Sequence, residues 1–173
     1  MTGHLATLAS RIATAYRPGP YRLPDGTTLT EFFDPFHLTA DPALLAETAA
    51  ALAALLPTGT QAVAGPALAA IPLVTAVSLH TGLPAAFLRP APKQRGSRKQ
   101  IEGTDLAGLR TVLLDDTARS GSSLLRSARL LRAAGAVVQA AVCVLDRQAG
   151  AAELLAAHHL ALGSLVRDPG GSR

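Results

Sequence analysis

Thr111-Val-Leu-Leu-Asp-Asp-Thr-Ala-Arg-Ser-Gly-Ser-Ser123 is the stretch that decides the fold. Its first four residues have strand character. Two adjacent carboxylates follow, then a small, hydroxyl-rich turn, then the opening of a helix. Asp115 and Asp116 thereby fall at the carboxyl end of a strand, where open α/β sheets hold their ligands. The turn and helix start offer backbone N–H groups and a positive dipole end to a phosphate. Carboxylates accept hydrogen bonds from vicinal sugar hydroxyls and oppose positive charge developing on a sugar ring. The stretch therefore predicts a sugar-phosphate site; the alternative is a purely structural role, with Asp116 as a helix cap.

Outward from this stretch, strands alternate with helices. Residues 61–64, 84–88, 111–114, 136–145 and 160–165 read as strands, and 68–81, 121–134 and 150–158 as helices. That alternation predicts a parallel sheet in an α/β fold. Earlier in the chain, residues 4–16 predict a helix with Leu5, Leu8, Ile12 and Ala15 on one face, ended by Pro18-Gly19-Pro20. Residues 21–36 predict a hairpin around a Pro24-Asp25-Gly26 turn. Asp41 reads as an N-cap, with Pro42 opening a helix that stops near Pro57 and Gly59. Residues 90–104 show no apolar period and predict a mobile basic loop. The expectation is one domain over 1–167 and a disordered tail over 168–173, without internal repeats.

Composition narrows the function classes. Apolar residues make up 49% and aromatics 3%, so the core is aliphatic. A net charge of +4 and a pI near 10.0 suit a polyanionic small molecule as well as nucleic acid. Four Phe, two Tyr and no Trp leave few platforms for stacking bases, which argues against RNA. Arg126, Arg129 and Arg132, spaced by three, read as a solvated helix face, and His37, His80, His158 and His159 as structural or surface residues. The single Cys143 reads as a small buried hydrophobe, and no zinc-ligand spacing occurs. The first residues lack a basic-then-apolar signal pattern, and no apolar run reaches the roughly 20 residues that span a bilayer. A cytoplasmic protein without membrane contact is expected.

The acid pair and its turn resemble the ribose-phosphate motif of type I phosphoribosyltransferases. Two further motifs resemble the orotate branch of that family. Arg89-Pro-Ala-Pro-Lys93-Gln-Arg-Gly96, running on to Ile101-Glu-Gly103, is similar to its flexible catalytic loop. Val144-Leu-Asp-Arg-Gln148 is similar to its Asp-Arg-Gln segment, and residues 23–34 to its hairpin with paired aromatics. The resemblance covers most of residues 20–165. It implies a parallel sheet with helices on both faces and an N-terminal hairpin, over residues 20–36, forming a hood above the base site, with residues 89–104 as the flexible loop.

It also implies a reaction: Mg²⁺-dependent transfer of the phosphoribosyl group of phosphoribosyl pyrophosphate (PRPP) to orotate, with release of pyrophosphate, in pyrimidine biosynthesis. Lys93, Asp115 and Asp116 are then the catalytic candidates. Arg89, Lys93, Asp115, Asp116, Thr117, Ala118, Arg119, Ser120, Gly121, Ser122 and Ser123 would bind PRPP. Phe32, Phe33 and Arg147 would bind the base, the arginine fork suiting a planar carboxylate. Mg²⁺ would arrive on PRPP with no direct protein ligands, and the protein would be a homodimer whose loop reaches its partner's site. The chain departs from the family pattern at Pro24, Ala69, Pro90, Arg95 and Arg119, where lysine, lysine, lysine, histidine and threonine are usual. Two other readings stay open: a diverged nucleotide- or PRPP-sensing regulator, and a phosphoribosyltransferase for another base.

Overall fold

The structure is a computed structural model that describes residues 2–22, 26, 28–95 and 99–168. The Pro24-Asp25 turn, Gly96, Arg98 and residues 169–173 lie outside the described residues. The elements run α1 (Thr2–Ala13), β1 (Tyr16–Arg22), β2 (Thr28–Phe33), α2 (Pro35–Ala40), α3 (Pro42–Ala53), β3 (Ala62–Pro66), α4 (Ala70–Thr81), β4 (Ala85–Leu88), β5 (Ile101–Gly103), β6 (Arg110–Ala118), α5 (Ser122–Ala133), β7 (Val137–Asp146), α6 (Ala151–Ala156) and β8 (Ala161–Arg167).

Six strands form one sheet in the order β5-β4-β3-β6-β7-β8. The pairs β3–β4, β3–β6, β6–β7 and β7–β8 are parallel. The sheet buries both faces, which is why β6 and β7 read as continuous apolar runs. On one face Leu8, Ile12, Leu44, Leu52, Leu73 and Val77 from α1, α3 and α4 pack against Val112, Leu114 and Val142. On the other, Leu124, Leu131 and Leu155 from α5 and α6 pack against Leu113, Ala141 and Cys143. Gly65 lets α4 approach the sheet: a Cβ there would stand 2.6 Å from Val74 Cγ2 and 2.7 Å from the Leu114 carbonyl oxygen.

Local chemistry sets the helix starts. Asp41 Oδ1 accepts from the N–H groups of Ala43 and Leu44 at 2.9 and 3.2 Å, as its sequence predicts. Asp34 caps α2 in the same way, through Phe36 and His37 at 3.0 and 3.1 Å. The sequence reading missed that short helix, because residues 34–40 are too few to show a period.

Several expectations are corrected. Helix α1 ends at Ala13, and Tyr16 already belongs to β1; Pro18-Gly19-Pro20 lies within that strand rather than closing the helix. Proline is tolerated there because the β1–β2 ribbon has only two strands and its register shifts between Pro18 and Tyr21. The basic loop contains β5, which pairs antiparallel with β4, so the sheet is mixed at one edge. Strand β6 runs four residues beyond its expected end, because Asp115, Thr117 and Ala118 pair with Cys143, Leu145 and Asp146 of β7. Arg132 does not lie on a solvated face. Its guanidinium donates to the carbonyls of Val138, His158 and His159 at 2.6 to 3.1 Å. The tail expectation fails at its first residue, since the N–H of Asp168 donates to the Asp146 carbonyl at 3.0 Å and prolongs the β7–β8 ladder. No helix among the described residues is long and apolar enough to cross a membrane.

Candidate active site at the sheet switch point

The chain moves outward from β3 to β4, then returns to the other side of β3 as β6. The strand order thus reverses between β3 and β6, and the crevice beyond their carboxyl ends is where an open α/β sheet places its ligand. A cavity of about 420 Å³ opens there. Its lining comes from Ala69 after β3, from Asp116, Thr117 and Arg119 at the end of β6, from Arg147 after β7, and from the β1–β2 hairpin and α2 above.

The two acids occupy different environments. Asp115 is buried, at 7% exposure, and accepts the Asp116 N–H at 3.0 Å. Burial, then the Asp116 charge and a hydrogen bond between the two carboxyl side chains, push Asp115 well above the usual carboxylate range. Asp116 is half-buried and reaches the cavity. Cys143, beside Asp115 on β7, is pushed up by burial and by the neighbouring carboxylates, which makes it an inert thiol.

The turn is tighter than expected. Thr117 and Ala118 are strand residues and the side chain of Ala118 is core, so its contribution is a carbonyl that accepts the Arg147 N–H at 2.8 Å. Residues 119–121 make the turn, and Ser122 and Ser123 form the first turn of α5. Ser120 Oγ lies 3.1 Å from Ser122 Oγ, with both side chains exposed. Gly121 has φ +78° and a Cβ there would stand 3.0 Å from Ala151 Cα, so the turn needs glycine for both conformation and space. Arg119 is exposed and lines the cavity, and no described residue pairs with its guanidinium.

The hood supplies aromatic surface unevenly. Phe33 is 7% exposed and packs edge-to-face on Tyr16, with ring centroids 5.5 Å apart. Phe32 is 42% exposed, tilted against Tyr21 at 5.4 Å, and is the more open of the pair. Phe36, 47% exposed at the start of α2, joins them on the cavity wall. It was missed with its helix; the Asp34-Pro35 cap signal would have found it.

Arg147 does reach the cavity, and it is not free there. Its Nη1 donates to Asp168 Oδ2 at 2.7 Å and to the Tyr16 hydroxyl at 3.1 Å.

The basic arm stands apart from this cavity. Arg89 shares a separate cavity of about 340 Å³ with Ala67, Ser123 and Arg126. The Arg89 and Lys93 N–H groups donate to the Gln100 and Lys99 carbonyls, so the arm continues the β4–β5 pairing. Lys93 Nζ pairs with Glu102 Oε1 at 2.5 Å, and this pair, with help from Arg89 and Lys99, holds the Glu102 carboxyl below its usual range. Among the described residues no three His, Cys, Asp or Glu side chains cluster as metal ligands.

These features accord with the comparisons. A model described as the phosphoribosyl transferase domain matches residues 37–157. The orotate phosphoribosyltransferase of a Nocardioides species is 41% identical over 143 residues, 82% of this chain and 80% of the relative. The crystal structure of Mycobacterium tuberculosis orotate phosphoribosyltransferase with Fe(III) dicitrate superposes with a TM-score of 0.84 at 26% identity, covering 95% of this chain and 96% of that one. The same enzyme in complex with PRPP gives 0.78 at 25% identity, with the same coverage.

Proposed function

The chain belongs to the phosphoribosyltransferase family, and on that premise we propose that it is an orotate phosphoribosyltransferase acting in pyrimidine biosynthesis. The bond from C1′ of PRPP to the diphosphate oxygen breaks, its electron pair leaving with the diphosphate, and a bond from C1′ to an orotate ring nitrogen forms as that nitrogen gives up its proton. One arrangement carries the reading: Asp116, Thr117 and Arg119, at and just after the end of β6, line the same cavity as the aromatic hood and Arg147.

In this reading Asp116, with Asp115 behind it, holds the ribose hydroxyls and opposes the positive charge that grows on the ring as the bond to the leaving group lengthens. The N–H groups of residues 119–123 and the hydroxyls of Ser120, Ser122 and Ser123 take the 5′-phosphate. Arg119 supplies a cation in the cavity that Ala69 also lines, which offsets the lysine missing at that position. Phe32 and Phe36 flank the base, and Arg147 takes its carboxylate. Arg89 and Lys93 neutralise the departing diphosphate. Because Lys93 lies away from its own chain's cavity, the arm serves the site of a second copy in a homodimer.

The donor set fits Mg²⁺, which is commonly held by one or two carboxylates together with substrate phosphates rather than by an all-protein cage. Asp116 is the cavity carboxylate that would face it. When bound, the ion supplies charge neutralisation to the diphosphate.

The test is steady-state turnover with PRPP, Mg²⁺ and orotate. Orotate-dependent release of pyrophosphate is expected; a rate no higher than that of a Lys93→Ala control overturns the assignment.

A further inference from the structure

We propose that Tyr16 and Asp168 are positioning residues that orient Arg147, and through it set the preference for a pyrimidine that carries a carboxylate. The inference rests on the orotate reading above. Tyr16 opens β1, Arg147 follows β7 and Asp168 follows β8, so three segments far apart in sequence meet at one guanidinium nitrogen. Arg147 Nη1 donates to Asp168 Oδ2 at 2.7 Å and to the Tyr16 hydroxyl at 3.1 Å, while that hydroxyl donates to the same Oδ2 at 2.8 Å. The guanidinium carbon also stands 5.6 Å from the centroid of the Tyr16 ring. The arginine and aspartate side chains are only 11% and 19% exposed.

The triangle uses one of the guanidinium nitrogens. Nε and Nη2 have no hydrogen-bond partner among the described residues, and Arg147 lines the cavity. A guanidinium is a rigid planar fork, so pinning Nη1 fixes the plane in which the other donors lie. The remaining edge can then meet a ligand carboxylate with two parallel bonds. Preordering matters because a long side chain otherwise loses its rotamer freedom when the ligand binds. The clamp is itself held firmly. Asp168 is tied by its N–H to the Asp146 carbonyl, and the Tyr16 ring is packed on buried Phe33. An Asp168 that competed with the ligand for Arg147 would give effects of the opposite sign.

Orotidine and uridine 5′-monophosphates differ only by the carboxylate, so calorimetry of both on the full chain isolates the clamp. Wild-type protein should bind the orotidine nucleotide more tightly. Asp168→Asn should weaken that binding about tenfold and Tyr16→Phe about threefold, with uridine nucleotide affinity held within about twofold. The retained uridine nucleotide binding shows that each variant is folded. Asp168→Glu should recover part of the loss, and in turnover the KM for orotate should rise while that for PRPP stays. An unchanged ratio of the two affinities in both variants, or tighter orotidine nucleotide binding in Asp168→Asn, overturns the proposal. The orotate reading fails differently: wild-type protein would itself show no preference for the carboxylate, which overturns both.

Discussion

The turn after β6 and the arm between β4 and β5 both carry candidate phosphate-binding groups, and they are held by different forces. The turn is fixed by its surroundings: β6 lies between β3 and β7, and Gly121 is pressed against α6. Among the described residues the arm is fixed by a short antiparallel ladder and a partly exposed ion pair, Lys93–Glu102, whose side chains are 40% and 30% exposed. Groups in the turn are therefore preorganised by the core, whereas those in the arm can exchange an intramolecular partner for a ligand. A solvent-screened pair of this kind contributes little to stability, so a diphosphate can displace it. On the proposed assignment, the ribose and 5′-phosphate groups are braced by the core, whereas the groups assigned to the leaving group are held by weaker contacts.

The largest test of this contrast is Lys93→Ala. It should lower kcat/KM for PRPP about a hundredfold, the scale of losing one charge-stabilising group. The thermal midpoint should hardly move, because little packing is lost with the pair. If the arm serves a second copy, mixing equal amounts of Lys93→Ala and Asp116→Asn should restore about a quarter of wild-type activity through mixed dimers. A marked fall in thermal midpoint would erase the contrast between arm and turn, and absence of complementation would return the arm to its own chain's site.

Gly121→Ala probes the other side and should act chiefly on stability. The substitution forces a left-handed conformation on alanine and brings its Cβ against Ala151. The expected cost is about 1–3 kcal/mol, read as a lower urea midpoint. An unshifted midpoint would mean that α6 gives way and that the turn is no better braced than the arm.

The same division decided what the sequence could reveal. The Asp-Asp-turn-helix order, the α/β alternation and the Asp41 cap are local patterns, and each of them stands in the structure. The extension of β6 to Ala118 was not legible, because polar residues beyond an apolar run give no period; only pairing with β7 keeps them in the sheet. Arg132 looked solvated by its spacing, yet it binds carbonyls about 26 residues away in sequence. Arg147 reads as a fork suited to a ligand carboxylate, and its partners in the structure come from residues 131 and 21 positions away. Asp168 reads as the start of a disordered tail over 168–173, whereas its N–H bonds to the carbonyl of Asp146, 22 positions away. Phe32 and Phe33 looked equivalent; strand alternation separates them only once the packed side of the hairpin is known. Side-chain partnerships across long separations are what a single sequence leaves unwritten.

The smallest expected effect concerns the turn alone. Asp115 is a buried carboxyl beside a second acid, so its proton is held more tightly in the folded chain than in the unfolded one. With a raised folded pKa, the unfolded chain gives up that proton first as pH rises. Stability therefore falls from near the ordinary aspartate value of 3.8 up to the raised folded pKa, and stays lower above it. Asp115→Asn removes this loss and keeps an oxygen to accept the Asp116 N–H. The variant should match wild type at acid pH, below the unfolded-state pKa, and then gain on it as pH rises to neutrality, in thermal midpoints measured across that range. Glu102→Gln in the arm should show no such gain, because the Glu102 carboxyl is held below its usual range by Lys93 instead. If the Asp115→Asn difference were independent of pH, the acid pair would not be maintained at a cost to folding, and turn and arm would differ in rigidity alone.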